Sequence, residues 1–160
     1  MHFELLADRV EAIPIVAGWY FEEGWRAITE NSVEKTAERI RGQLNRGKLP
    51  LLVLAVDAEC VVGVAELKPH EMLSVYPDKE PWLGGVFVRQ ESRNKGIASQ
   101  LALRIAEIAK SFGVEELYLQ TTALDGGLYA RLGWMPVEQI RYRGVDVLLM
   151  VKELRQRRSC

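Results

Sequence analysis

One stretch of this 160-residue chain is strongly patterned for helix. Ile97, Leu101, Ile105, Ile108 and Phe112 recur every three or four residues, so they share one face, and Gly113 supplies the stop. A single apolar stripe needs a flat partner to cover it. The chain supplies that partner in pieces: strand-length apolar runs at Leu51–Val56, Cys60–Leu67, Trp82–Val88, Leu117–Thr121, Met135–Tyr142 and Val145–Leu154. Phe3–Leu6 adds a short strand at the start. Strands precede, surround and follow the helix, so the expectation is an α/β fold, with one mixed sheet in a single domain over residues 1–154.

The connections are also patterned. A helix is expected from about Pro14 to Gly24, because Pro suits a first helical turn and Ile13 before it is biased away from helix. Asn31 and Glu34 have capping-box spacing, and Val33, Ala37, Ile40 and Leu44 continue as a helical stripe until Gly47 and Pro50. Asp57-Ala58-Glu59 and Arg143-Gly144 read as hairpin turns. Lys68–Pro81, with three prolines, reads as a loop. Gly84-Gly85 is costly inside a strand and marks a bulge or a close backbone approach. Leu128–Leu132 forms a short helix stopped by Gly133. Cys60, within an apolar run, is expected in the core.

Several function classes are disfavoured. The net charge is −1, which gives no general attraction to nucleic acid or to an anionic membrane. The basic tail over 155–160 reads as a solvated charge run. The cysteines, Cys60 and Cys160, and the histidines, His2 and His70, have no metal-ligand spacing, so no metal is expected. Met1-His2-Phe3-Glu4 does not open a signal peptide, and the apolar runs are too short to cross a bilayer, so the expected location is cytoplasmic. Gly-x-Gly-x-x-Gly, a P-loop and a Gly-x-Ser-x-Gly elbow are all missing from the sequence.

The segment Val86–Ser99 carries the chemistry. A strand ends at Val88, a polar turn follows, and a helix opens at Gly96-Ile97-Ala98-Ser99. The first amides of a helix lack intrahelical acceptors, and the macrodipole makes that end positive. Small residues at Gly96 and Ala98 keep the surface low, and Arg93 and Lys95, flanking Asn94, add charge. This pattern predicts a phosphate or pyrophosphate site.

The residues also resemble a family. Arg93-x-x-Gly96-x-Ala98 is similar to the Gln/Arg-x-x-Gly-x-Gly/Ala signature of the GNAT N-acetyltransferases. Leu128-Tyr129-Ala130-Arg131-Leu132-Gly133-Trp134 resembles their second motif, and the order of elements agrees over residues 3–154. The resemblance implies a mostly antiparallel sheet splayed between its fourth and fifth strands, with acetyl-CoA as acyl donor. It implies that Val86, Phe87 and Val88 meet the pantetheine arm and that the amides of Arg93, Asn94, Lys95, Gly96, Ile97, Ala98 and Ser99 meet the pyrophosphate. Asp125 follows the next strand, where family members often contact pantetheine or acceptor; Asp125-Gly126-Gly127 also reads as a plain turn. Tyr129 would protonate the departing thiolate. That role suits a phenol, whose reference pKa of about 10 lies above a thiol's, about 8.5.

The acceptor amine must lose a proton before it attacks. Trp82–Val88 has no acid, where many family members have one. Glu66, near the end of a neighbouring strand, is the candidate base. Glu22, Glu23 and Trp25 combine carboxylates with an aromatic wall that suits a cationic amine. The expected partner is a small-molecule amine. The resemblance also permits a protein N-terminus or lysine as acceptor, an acyl-CoA sensor without turnover, and either a monomer or a homodimer. The segments around Trp19–Trp25 and Pro81–Val88 resemble the branch with aminoglycoside-modifying enzymes.

Overall fold

A computed structural model describes residues 1–23 and 32–155. Trp25, Asn31, Cys160 and the basic tail beyond Arg155 lie outside the described residues. Seven strands, β1 (His2–Leu5), β2 (Leu51–Asp57), β3 (Cys60–Lys68), β4 (Trp82–Val88), β5 (Glu116–Thr121), β6 (Met135–Tyr142) and β7 (Val145–Glu153), form one sheet. Its order is β1-β2-β3-β4-β5-β7-β6. Every neighbouring pair is antiparallel except β4 with β5. The helices are α1 (Ile13–Glu22), α2 (Val33–Arg41), α3 (Ile97–Ser111) and α4 (Gly127–Arg131).

The expected stripe of α3 does cover the sheet. Leu101 and Ile105 are fully buried and pack with Leu51, Leu117, Leu119 and Met150. The opposite face is covered by α1 and α2, whose Val16, Tyr20 and Ile40 pack on Leu52, Leu54 and Val64. A smaller cluster, Met72, Trp82, Tyr118, Val147 and Leu149, continues that second face. The register explains this: Trp82 lies opposite Lys68, two residues along β3 from Glu66 and four from Val64.

Gly84-Gly85 makes the expected bulge. Val64 pairs with Phe87 and Glu66 with Gly84, so β4 carries one extra residue across that interval. Gly85 sits at φ +57°, in the left-handed region. The Tyr20 hydroxyl donates to the Gly85 carbonyl at 2.7 Å. A Cβ on Gly85 would lie 2.6 Å from that hydroxyl oxygen and 3.0 Å from Glu66 Cγ. Both expected causes, a bulge and a close approach, act at one residue.

Four expectations need correction. Ile13 is itself the first residue of α1, at φ −54° and ψ −46°, because Pro14 falls within the first turn, where its missing amide costs no helical hydrogen bond. Cys60 is exposed, because it pairs with Asp57 at the tip of the hairpin, beyond the reach of the core. The cap of α2 is Ser32, whose Oγ accepts from the Lys35 amide at 3.1 Å. That helix ends at Arg41 and is closed by Gly42, so Leu44 packs on the second core from outside the helix.

The two glycines at positive φ near the splayed strands should respond differently to alanine. Gly85→Ala meets backbone strain and two close atoms, and should cost about 2–4 kcal/mol. Gly96→Ala, at φ +76° with nothing within 4 Å of the added Cβ, meets the backbone penalty alone. That penalty is about 1–2 kcal/mol. Urea unfolding of both variants checks the order; equal costs would contradict the packing described at Gly85.

Candidate active site

Strands β4 and β5 meet at one bridge, Trp82 with Tyr118, and the Tyr118 amide donates to the Pro81 carbonyl at 3.1 Å. Beyond that point β5 pairs on its other edge with β7 along its whole length, and among the described residues no strand borders that edge of β4. A cleft of about 460 Å³ opens between Leu83–Val86 on one wall and Leu119–Thr122 on the other. It passes through the sheet. Tyr129 lines it and packs with the core beneath α3, while Tyr142 and Val147 line it from the second face.

The turn after β4 is built from its own side chains. The Arg89 amide donates to the Val62 carbonyl at 2.9 Å, and Arg89 Nε donates to Ser92 Oγ at 2.9 Å. Arg93 Nε donates to the Val88 carbonyl at 2.9 Å, and its guanidinium lies 5.5 Å from the Phe87 ring centroid. Arg93 therefore ties the turn to the strand end. Asn94 and Gly96 both take positive φ, 64° and 76°, which turns the chain into α3. Gly96 is the N-cap and no side chain caps the helix, so the amides of Ile97, Ala98 and Ser99 lack intrahelical acceptors. Lys95 is exposed beside them. Along β4, Val86 lines the cleft, Phe87 stacks on Trp19 with centroids 5.0 Å apart, and Val88 is buried under α3.

Tyr129 is positioned by the turn that follows it. Its carbonyl accepts from the amides of Leu132 and Trp134, both at 3.0 Å. Its ring meets Trp134 edge-on, with centroids 6.2 Å apart. Burial pushes its phenol up to about 12, so the hydroxyl keeps its proton at neutral pH. Asp125 is exposed, and its Oδ1 accepts from the Gly127 amide at 2.9 Å, the Asx turn that leads into α4.

Glu66 is 1% exposed, on the face covered by α1 and α2. Its carboxylate lies 3.7 Å from Lys68 Nζ and 4.0 Å from Arg39 Nη1. Lys68 continues to Glu71, 2.5 Å away, and Gln120 Nε2 donates to the other Glu71 oxygen at 3.1 Å. Glu71 and Gln120 line the cleft; Glu66 does not. Glu22 and Glu23 line a separate groove of about 720 Å³ beside Trp19, Arg89 and Arg93. Glu71, Gln120, Tyr142 and Arg143 were not singled out by the sequence. The available signals were the loop that holds Glu71 and the hairpin turn that holds Arg143.

The sequence model of the acetyltransferase (GNAT) family matches residues 18–134, well over half of the chain, including β4, β5 and α4 at the cleft. The chain belongs to the GNAT family. Solved structures agree in fold. The ribosomal-protein-alanine N-acetyltransferase from Brucella melitensis superposes with a TM-score of 0.75 at 18% identity, covering 96% of this chain and 99% of that one. An aminoglycoside 6'-N-acetyltransferase complexed with coenzyme A gives 0.74 at 16% identity, covering 99% and 100%. The Salmonella typhimurium protein yncA, solved with its cofactor acetyl-CoA, gives 0.72 at 14% identity, covering 99% and 96%. A comparison with curated protein sequences gives no match. Among the described residues of this GNAT chain, no helix is long and apolar enough to cross a membrane, and no group of three or more His, Cys, Asp or Glu could hold a metal ion.

The raised phenol has a measurable consequence. The folded state holds the Tyr129 proton more tightly than the unfolded state, where the pKa is about 10. Stability from this group is therefore intact below pH about 10 and is lost as the pH rises towards about 12. Subtracting the ultraviolet phenolate titration of Tyr129→Phe from that of wild type should leave a curve centred near pH 12. A difference curve centred near the reference value of about 10 would contradict burial of the hydroxyl.

Proposed function

We propose that this chain transfers an acetyl group from acetyl-CoA to a primary amine, most naturally that of a small molecule. The observation that carries the proposal is the splay of β4 from β5 after one bridge, with an uncapped helix N-terminus at one end of the slot and a protonated tyrosine inside it. The residues fit the donor. Val86, Phe87 and Val88 offer an unpaired strand edge to an amide-bearing arm, a form of strand addition. The amides from Asn94 to Ser99 offer donors for a pyrophosphate, and the space above Gly96 is open to receive it. In this reading Arg93 acts by fixing the turn, and Lys95 supplies the nearby charge. Asp125 shapes the entry to α4.

When bound, acetyl-CoA supplies an activated acyl group whose C–S bond breaks as the C–N bond to the acceptor forms. Tyr129 gives its phenolic proton to the leaving sulfur. The amine gives its proton to water at the cleft mouth beside Glu71, and Glu66 serves there by holding Lys68 beside that carboxylate. A backbone amide of β4 polarises the acyl carbonyl. Glu22 and Glu23 then belong to the separate groove beside Trp19.

A coenzyme A thiol-release assay with a panel of amines tests the proposal. Tyr129→Phe should lower kcat by about 10²-fold or more, the usual scale for a positioned general acid, and should leave calorimetric affinity for acetyl-CoA unchanged. An acyl-CoA sensor predicts binding with no turnover in wild type. Equal affinity for acetyl-CoA and ADP would point to a generic phosphate site instead.

A further inference from the structure

The second-face mouth of the cleft carries one carboxylate held by its neighbours and one exposed guanidinium. On one wall, charges alternate from Arg39 through Glu66 and Lys68 to Glu71. Two cations offset two anions, yet the order puts a carboxylate at the end that meets the cleft. Lys68 holds one Glu71 oxygen and Gln120 the other. A carboxylate has about four acceptor sites, so further N–H groups can still be received there. Between the walls lie Tyr142 and Val147, an aromatic and an aliphatic surface.

On the other wall the β6–β7 turn contributes Arg143. Its backbone is held at φ 51° by the hairpin, and its guanidinium lies 5.1 Å from the Tyr142 ring centroid. Its neighbour Arg141 is paired with Asp146 at 3.5 Å. Arg143 lines the cleft and has no carboxylate partner among the described residues. A guanidinium beside an aromatic wall matches a carboxylate or a phosphoryl-type oxyanion, which it can bind through two parallel hydrogen bonds.

We infer that the acceptor is a zwitterion, an amine that also bears an anionic group, with its ammonium end at Glu71 and its anionic end at Arg143. This rests on the acetyltransferase reading above and names the substrate class within it. A polycationic acceptor would satisfy Glu71 but set a second positive charge against Arg143. An amine with no anionic group would leave Arg143 unused.

The test compares α-amino acids, and amines bearing a phosphonate, with the same amines lacking the anionic group; an aminoglycoside is the polycationic arm. Wild type should show kcat/KM at least about tenfold higher for the zwitterionic member of each pair, the scale of one charge-assisted contact. Arg143→Ala should bring that ratio to about one, chiefly through KM, while affinity for acetyl-CoA by calorimetry is kept. Arg143→Lys should restore part of it. Glu71→Gln should raise KM for both members of a pair and leave the ratio standing. If the plain amines or the aminoglycoside react as well as the zwitterions, or if Arg143→Ala keeps the ratio, the inference is overturned. If wild type binds acetyl-CoA yet acetylates no amine of any class, the acetyltransferase reading fails, and this inference fails with it.

Discussion

Strand β4 is held on one side only. Past its single bridge at Trp82, its other edge meets no strand among the described residues, because β5 diverges from it while staying paired on its far edge with β7 over all six of its residues. Peptide groups on such an edge need water or a ligand to satisfy them. The edge is short and lies inside a cleft, so it attracts a narrow, amide-bearing molecule more readily than another protein strand. The uncapped start of α3 follows the turn after β4, and its first amides lack intrahelical acceptors.

The bulge at Gly85 links this edge to the second face of the sheet. It brings the backbone of β4 against Tyr20 of α1 and Glu66 of β3. A side chain at Gly85 would displace either the hydroxyl or the carboxylate. Glu66 in turn lies beside Lys68, and Lys68 contacts Glu71 at the cleft wall. Buried charges cost free energy unless each has a partner. The alternating order provides partners and also fixes Glu71, so the close packing at one glycine and the position of one carboxylate belong to the same arrangement.

Much of this was legible in the sequence where the signal was local. The stripe from Ile97 to Phe112, the hairpin at Arg143-Gly144 and the paired glycines on β4 all follow from spacing and backbone preference. The glycine-opened start of α3, with no side-chain cap, was legible for the same reason. Adjacent signals of one kind were harder to separate: Asn31 and Ser32 are both good caps, and the helix uses Ser32. The acceptor side was not legible. Glu71 and Arg143 are 72 residues apart in the chain, and strand register alone brings a loop and a distant hairpin to one cleft. Cys60 reads as core from its neighbours, but its exposure depends on where the turn falls.

The central claim is that the open edge of β4 and the start of α3 form one binding slot. Amide hydrogen exchange with and without acetyl-CoA tests it most directly. Protection should rise at Val86–Val88 and at Gly96–Ser99 together, while ADP should protect the helix start alone. Protection confined to the helix start with both ligands, or found elsewhere in the sheet, would contradict the account.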